Sequence, residues 1–302
     1  MENGVSTDRA GDRESTAVKA AIDVETYYTN VGMDYRAWSR NFNMHFGYYR
    51  WPANPLVLEA MLEELSRQVF TRLDLAAGMK VLDLGCGLGA PARTLTAEHP
   101  VAVTAVTIVD WQIAKARALS DAATTERRGR VEWVLGNFTG LDLPGGAYQA
   151  AFSIEASCHA PGASKEPFVR ECARLLQPGA RLVIADGFMK RSVGLPRWYA
   201  ALLGYMTRSW AVETFADLTT FCTALERCGF ELLAAEDISW RIAPSVMHVP
   251  RVTLGFLARE LLVRRRPLTK MRWAHVLACL IAPWIGVGRP YFGYYLITAR
   301  KR

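Results

Sequence analysis

Three glycines at alternate positions, Gly85, Gly87 and Gly89, follow a short apolar run that contains Asp83. Glycine lets the backbone turn tightly and approach a ligand, and a helix that begins there offers unpaired N–H donors. The spacing differs from the G-x-G-x-x-G of dinucleotide sites, and the lysine of a P-loop is missing. Asp83 suits an ammonium group better than a pyrophosphate. The loop therefore predicts an S-adenosylmethionine site; the alternative is a plain strand–turn–helix without a ligand.

Glu155 and His159 lie four residues apart, directly after an apolar run at 150–154. If that run is a strand of a parallel sheet, both side chains reach the carboxyl edge, where open α/β sheets bind their ligands. A carboxylate and an imidazole there can take part in proton transfer. The alternative is structural: Glu155 would only hold a backbone or a covering segment, and His159 would only pack beneath it.

Alternating strand and helix patterns place these residues in a parallel sheet with helices on both faces. Strands are expected at 80–84, 102–108, 131–135, 150–154, 181–185, 230–236 and 292–298, and helices at 56–73, 91–98, 112–122, 166–176, 198–205 and 217–228. About 55 residues separate the last two strands and carry two more apolar helices, at 252–262 and 273–281. So long an insertion is usually functional, and we interpret it as a cap over the active site.

The amino-acid composition limits the classes of protein to which this chain can belong. The 302 residues are 51% hydrophobic and 22% charged, which fits a globular chain. The net charge of +7 is too small and too scattered to indicate a nucleic-acid protein. Six cysteines without metal-ligand spacing indicate free thiols in a reducing interior and no metal site. The polar start lacks a signal core, so we expect a cytoplasmic protein.

The sequence resembles the class I S-adenosylmethionine-dependent methyltransferases, through the glycine loop, Gly136-Asn137-Phe138 and the run 175–182. Ser153-Ile154-Glu155-Ala156-Ser157-Cys158-His159-Ala160-Pro161 is similar to a stretch of sterol C-methyltransferases, as are Tyr27-Tyr28 and Asp110-Trp111-Gln112. His45-Phe46-Gly47-Tyr48-Tyr49 also resembles tocopherol-type and small-terpenoid methyltransferases. The resemblance implies a Rossmann-like fold with a seven-stranded, mostly parallel sheet.

Composition, the strand and helix pattern and this resemblance together divide the chain into five expected parts. They are a disordered tail (1–20), N-terminal lid helices (21–75), a cofactor-binding core (76–240), a helical cap that binds the acceptor (241–290), and the last strand with a basic tail (291–302).

The resemblance also assigns cofactor-binding residues, with departures from the family pattern. Strand two lacks the acidic residue that usually holds the ribose, so Asp110, Thr107 or Gln112 is expected to replace it, and Gln149 replaces another aspartate. Asn137 stands where an aspartate often caps the adenine amine, and Phe138 follows it. His45 either binds the cofactor carboxylate or lies at the surface. The full expected set is His45, Asp83, Gly85, Gly87, Gly89, Thr107, Asp110, Gln112, Asn137 and Phe138.

Methyl transfer to an alkene carbon would leave a carbocation, which needs aromatic faces or a carboxylate and then a base. We therefore expect Glu155 to stabilise the cation or accept its proton, His159 to be a second base, and Tyr28 to line the cation site with Tyr35 and Trp38. Otherwise the three aromatic residues form the apolar face of a helix. Methylation of oxygen or nitrogen on a lipid, quinone or phenol is the second hypothesis. A non-catalytic lipid-binding protein is the third.

The expected acceptor is a large apolar molecule: a sterol, a terpenoid or a prenyl lipid. The run 276–287 is too short for a membrane span and is interrupted by Pro283, so it is a buried helix or an interfacial segment. Arg264-Arg265-Arg266 could contact anionic lipid headgroups, grip a prenyl diphosphate with magnesium, or be a solvated charge cluster. Peripheral membrane contact is thus an expectation, whereas the sequence does not indicate an oligomeric state.

Overall fold

A computed structural model describes residues 23–122 and 127–302. The expected disordered tail, 1–20, lies outside the described residues. The chain begins with helix α1 (Val24–Val31), a 3-10 turn (Gly32–Ala37) and helix α2 (Leu58–Phe70). The Asp23 carboxylate caps α1 by accepting a hydrogen bond from Thr26 N at 2.9 Å, which satisfies one of the free donors of its first turn.

One sheet forms the centre of the molecule. Its strands are β1 (Lys80–Leu84), β2 (Ala102–Thr107), β3 (Arg130–Leu135), β4 (Tyr148–Ile154), β5 (Leu176–Met189), β6 (Ala216–Asp217), β7 (Phe230–Asp237) and β8 (Phe292–Lys301). The order is β3-β2-β1-β4-β5-β8-β7, β6 pairs with β5, and β8 is antiparallel to both of its neighbours, β5 and β7. The expected Rossmann-like fold is confirmed, with eight strands instead of seven because two-residue β6 adds to β5.

Helices cover both faces of the sheet, as the alternating pattern predicts. In the core these are α3 (Ala90–Glu98), α4 (Asp110–Asp121), α5 (Glu166–Leu175), α6 (Arg197–Ser209) and α7 (Leu218–Arg227). Phe168 of α5 and Phe221 of α7 are buried on one face. Leu65 of α2 and Leu95 of α3 are buried on the other. Helix α2 therefore packs on the sheet, whereas α1 belongs to a separate apolar cluster.

The residues between β7 and β8 form a separate helical layer. It contains α8 (Ser239–Val246), α9 (His248–Ala258), a π-helical turn (Arg259–Val263), α10 (Lys270–Ile281) and a 3-10 stretch (Ala282–Gly288). Its buried residues Ala278 and Ile285 pack with Tyr199 and Met206 of α6. We call residues 241–290 the cap. The expected lid spans 21–75, but α2 packs on the sheet, so we use the word lid only for residues 23–37.

The lid is fastened to the cap by polar contacts. Arg272 of α10 donates from Nε and Nη2 to the two carboxylate oxygens of Asp34, both at 2.8 Å. The Tyr27 hydroxyl lies 2.8 Å from His275 Nδ1. Lid and cap therefore meet over the carboxyl edge of the sheet.

One helical run is longer than the sequence pattern indicates. The stretch Lys270–Gly288 is continuous over 19 residues and, by length and composition alone, could cross a membrane. The run extends upstream of residue 276 and continues through Pro283 because proline fits the first turn of the 3-10 stretch. Core helices of soluble proteins can pass the same criterion, although only 28% of the apolar window is buried here.

Candidate active site

The glycine loop leaves β1 in a conformation that other residues rarely adopt. Gly85 has φ +93°, and a Cβ at this position would lie 2.2 Å from Ala156 Cβ. Gly87 has φ +52°, while Gly89, with φ +72°, is the N-cap residue before α3 and lies against the Trp133 ring, 2.2 Å from where its Cβ would be. Glycine is therefore required at positions 85 and 89 by both space and backbone.

Asp83 is a buried carboxyl group that faces the cleft beside this loop. Its Oδ2 has no hydrogen-bond partner among the described residues, and burial raises its pKa well above the usual value. An unpartnered buried carboxyl is costly unless a ligand satisfies it. The side chain therefore fits the ammonium group of the expected cofactor.

Gln112 supplies a second unpartnered group. Thr107 Oγ1 donates to Gln112 Oε1 at 2.7 Å, which fixes the orientation of the amide. Gln112 Nε2 is buried and has no partner within the described chain. A buried amide donor beside β2 fits a ribose hydroxyl, so Thr107 positions Gln112 where the usual acidic residue is missing.

A cleft of about 320 Å³ runs along this edge of the sheet, and we call it the cofactor cleft. Eight of the ten residues that the sequence assigns to cofactor binding line it: His45, Asp83, Gly85, Gly87, Thr107, Gln112, Asn137 and Phe138. Gly89 does not line it and is instead the N-cap residue of α3. Asp110 is an exposed first residue of α4 and does not line it either. The cleft is thus built by the loop, β2 and the segment after β3.

Two of the lining residues already have protein partners. His45 is buried, and its Nδ1 lies 2.7 Å from Phe46 O, so Nδ1 carries the proton because a carbonyl can only accept. Burial lowers the pKa of His45 to about 4, and the ring is neutral at pH 7. Asn137 Oδ1 accepts from Thr139 N and Thr139 Oγ1, which leaves its amide nitrogen as the freer end.

Glu155 follows β4 with φ +48°, and its side chain lines the cofactor cleft. Its Oε1 accepts hydrogen bonds from Phe46 N at 2.7 Å and from the Tyr294 hydroxyl at 2.8 Å. Burial raises the pKa of Glu155 to about 8. The residue does hold a backbone, as the structural alternative proposes, but it also lines three cavities.

His159 and Tyr28 form a pair beside Glu155. His159 Nδ1 lies 3.1 Å from Ala211 O and therefore donates to it, while Nε2 accepts from the Tyr28 hydroxyl at 3.2 Å. Burial, together with the charge of Lys165, lowers the pKa of His159 to about 4. The imidazole is neutral at pH 7, and Nε2 can accept a proton only when the Tyr28 hydroxyl gives up this bond.

Two apolar chambers adjoin the cofactor cleft. The main chamber, of about 250 Å³, shares Tyr28, Glu155 and His159 with the cleft. The side chamber, of about 140 Å³, shares Glu155 with both. The main chamber is also lined by Met206, Trp210, Val212, Phe215, Ile285 and Phe292, and the side chamber by Tyr35, Trp38, Val252, Phe256 and Val276. Glu155 is therefore at the junction of a polar cleft and apolar space.

Sequence patterns did not indicate two residues that complete this junction. Tyr294 reaches Glu155 from β8, and Asp186 of β5 holds the loop after β4 by accepting from Ser157 Oγ at 2.6 Å and Cys158 N at 2.9 Å. Both residues lie within strands, where the alternation of apolar and polar residues predicts that a side chain is buried but not which residue it contacts. Only the β5–β8 pairing, with Ala185 opposite Leu296, brings them together.

Comparisons with known proteins agree with this geometry. The profile of a methyltransferase domain matches residues 81–179. The chain is 33% identical to the O-methyltransferase resE of Aspergillus sclerotiorum over 70% of this chain and 77% of that protein. It is 29% identical to the 24-methylenesterol C-methyltransferase 2 of rice, Oryza sativa subsp. japonica, over 88% and 71%. The cyclopropane synthase MmaA2 of Mycobacterium tuberculosis has the same fold, with a TM-score of 0.78, 17% identity, and coverage of 94% and 100%.

Proposed function

Since the chain belongs to the S-adenosylmethionine-dependent methyltransferases, we propose that it methylates a carbon of a large apolar alkene, a sterol or a terpenoid, through a carbocation. The observation that carries the proposal is the position of Glu155. It is a buried carboxyl group at the junction of the cofactor cleft and both apolar chambers.

S-adenosylmethionine is the cofactor, and the residues of the cleft fit it. Asp83 would hold the ammonium group, and Gln112, positioned by Thr107, would hold a ribose hydroxyl. When bound, the cofactor supplies an electrophilic methyl group, and its transfer to an alkene carbon leaves a neutral thioether and a carbocation on the acceptor.

The residues around the junction suit that carbocation. Tyr28 and Tyr35 present aromatic faces to the main chamber, as does Trp210, and aromatic faces attract cations. Glu155 contributes negative charge when it is ionised, and a nearby positive charge favours the ionised form. The cation then loses a proton to the Glu155 carboxylate or to His159 Nε2, and the alkene is restored.

The acceptor class rests on the lining of the chambers. Apart from Glu155, His159, Asp186 and a few edge residues, the main chamber presents aromatic and aliphatic side chains. Such a surface binds an apolar molecule by removing both surfaces from water. Similarity to a sterol C-methyltransferase over most of the chain supports the same acceptor class.

Methylation of a hydroxyl group is the second candidate. The neutral imidazole of His159 is oriented by Ala211 O, and an acceptor hydroxyl that takes the place of the Tyr28 hydroxyl at Nε2 can give its proton to this nitrogen. Similarity to an O-methyltransferase supports this candidate. In that reaction no carbocation forms, and Glu155 would keep only its structural bonds to Phe46 and Tyr294.

The identity of the methylated atom decides between the two. Purified enzyme is incubated with S-adenosylmethionine carrying a carbon-13 methyl group and with a panel of sterols, linear terpenes and phenols. We expect the product's carbon-13 spectrum to show the label bonded to carbon. Label found only on oxygen or nitrogen would refute carbon methylation and leave the family assignment intact.

A further inference from the structure

The cap holds nearly all of the chain's excess positive charge. Residues 241–290 contain nine arginines and lysines and one acidic residue, Glu260, so their formal charge is 9 − 1 = +8. The whole chain carries +7. The remainder of the molecule is therefore close to neutral, and the charge is concentrated on one layer of the fold.

The same layer exposes large apolar side chains. Trp273 and Leu277 are one helical turn apart on α10, and Trp284 and Val287 follow on the 3-10 stretch, all four being exposed. Residues on either side of Trp284 point inward, since Pro283 and Ile285 line the main chamber. The segment therefore has an inner side that forms the chamber and an outer side that carries an apolar stripe.

The π-helical turn, whose Glu260 contacts Arg272 beside Trp273, also exposes apolar side chains. Leu262 and Val263 are exposed by 76% and 77%, and the exposed run Arg264–Arg266 follows at once. We name the cap face as Leu262, Val263, Arg265, Arg266, Trp273, Leu277, Trp284 and Val287. Segments that lie in a membrane interface typically combine tryptophan and leucine with arginine, and their basic groups contact anionic headgroups.

We propose that the cap face docks on the surface of an anionic lipid bilayer, so that an apolar acceptor reaches the main chamber from the membrane. Trp240 and Met247 line that chamber and are also largely exposed, so the chamber opens in the same layer. The helical run lies on the membrane and does not cross it, because Val276, Ala278 and Ala282 on its inner side are buried in the fold.

Vesicle sedimentation of the full chain tests this docking. We expect binding to phosphatidylserine–phosphatidylcholine vesicles to exceed binding to pure phosphatidylcholine by at least about tenfold, and to weaken with added salt, because each arginine near an anionic surface contributes attraction that salt screens. Leu262→Glu and the double variant Arg265→Gln/Arg266→Gln should each lose at least about tenfold in vesicle affinity.

Matched controls lie outside the cap. Leu56, at 75% exposure, is as open as Leu262, so Leu56→Glu should bind vesicles like the unaltered chain. Arg128→Gln/Arg130→Gln removes two exposed arginines at β3, the opposite edge of the sheet, and should also have no effect. Equal losses in the controls, or no binding of the unaltered chain to anionic vesicles, would overturn the proposal.

Two further readouts separate this inference from the proposed function. Cofactor affinity by calorimetry and turnover of a detergent-dispersed acceptor should be unchanged in Leu262→Glu, because the cap face contacts neither ligand. A second copy of the chain could also cover the apolar cap face. Light scattering measures whether such a dimer forms. A dimer that Leu262→Glu dissociates, without vesicle binding, would contradict membrane docking.

Discussion

The protonation state of the Glu155 carboxyl group decides whether this residue can stabilise a carbocation. Its pKa is raised to about 8 because the group is buried, and its two hydrogen-bond donors within residues 23–122 and 127–302 are neutral. At neutral pH most molecules without ligand therefore carry a proton there. A positive charge in the adjoining cleft favours the ionised form, so the arriving cofactor should itself prepare the carboxylate.

Proton release on cofactor binding tests this coupling. Both S-adenosylmethionine and S-adenosylhomocysteine carry the ammonium group that would ionise Asp83, so the test is the difference between the two ligands. At pH 7 we expect S-adenosylmethionine, whose sulfonium is positive, to release about one proton more than the neutral thioether S-adenosylhomocysteine, since a group with a pKa one unit above the pH is mostly protonated. Calorimetry in buffers of different ionisation enthalpy measures both, and Glu155→Gln should abolish the difference. Equal release by the two ligands would argue against the coupling.

Asp83 is the second residue with a direct test. Asp83→Asn keeps the shape of the side chain and removes the negative charge that faces the ammonium group. We expect cofactor affinity, measured by calorimetry, to fall by about tenfold or more, since hydrogen bonds to charged groups are worth about 1.5–3 kcal/mol. Asp74→Asn, at an exposed acid, is the control. Unchanged affinity in Asp83→Asn would mean that another group holds the ammonium.

Among the structural elements, the lid and the cap are held to each other by an ion-pair cluster around Arg272. Arg272 binds Asp34 with two bonds and also lies 3.3 Å from Glu260. Burial raises the pKa of Asp34 more strongly than Arg272 lowers it, whereas pairing with Asp34 raises the pKa of Arg272. The acid therefore depends on Arg272, and losing that partner would leave Asp34 poorly solvated.

Arg272→Met tests the strength of this fastening. We expect the free energy of unfolding to fall by about 3 kcal/mol, because a largely buried carboxylate loses its partner. Arg300→Met removes an equally close but exposed partner of Glu231 and should cost less than about 1 kcal/mol. Urea denaturation measures both variants. Similar losses would show that the Asp34 pair is no stronger than a surface pair.

Local sequence patterns predicted most of these elements but not how they meet. The strand at 80–84 matches β1 because an apolar run ends abruptly in glycines. In contrast, the strand expected at 181–185 is part of the 14-residue β5, which extends along β8. No local signal encodes pairing with a partner more than a hundred residues away. For the same reason Glu155 was predicted from its own neighbourhood, whereas its partner Tyr294 was not.

For the whole molecule, the sequence correctly predicted the family, the fold class and the cofactor. The structure adds that different parts of the fold form the polar and the apolar regions of the site. The sheet edge forms the polar cleft, and the lid, the cap and the segment around α6 together form the apolar chambers. Glu155 contacts both regions through its position after β4. The acceptor class and the methylated atom remain proposals that follow from this arrangement.

The most direct measurement is the turnover of Glu155→Gln on the acceptor found in the labelling experiment. Gln retains an oxygen for Phe46 N and Tyr294 but carries no charge. We predict a kcat about 10²-fold lower or more, comparable to the loss of one electrostatic group that stabilises a transition state. S-adenosylhomocysteine affinity and the acceptor KM should stay within about threefold, because neither ligand needs the charge for binding. A kcat within tenfold of the unaltered enzyme would contradict a carbocation stabilised by Glu155.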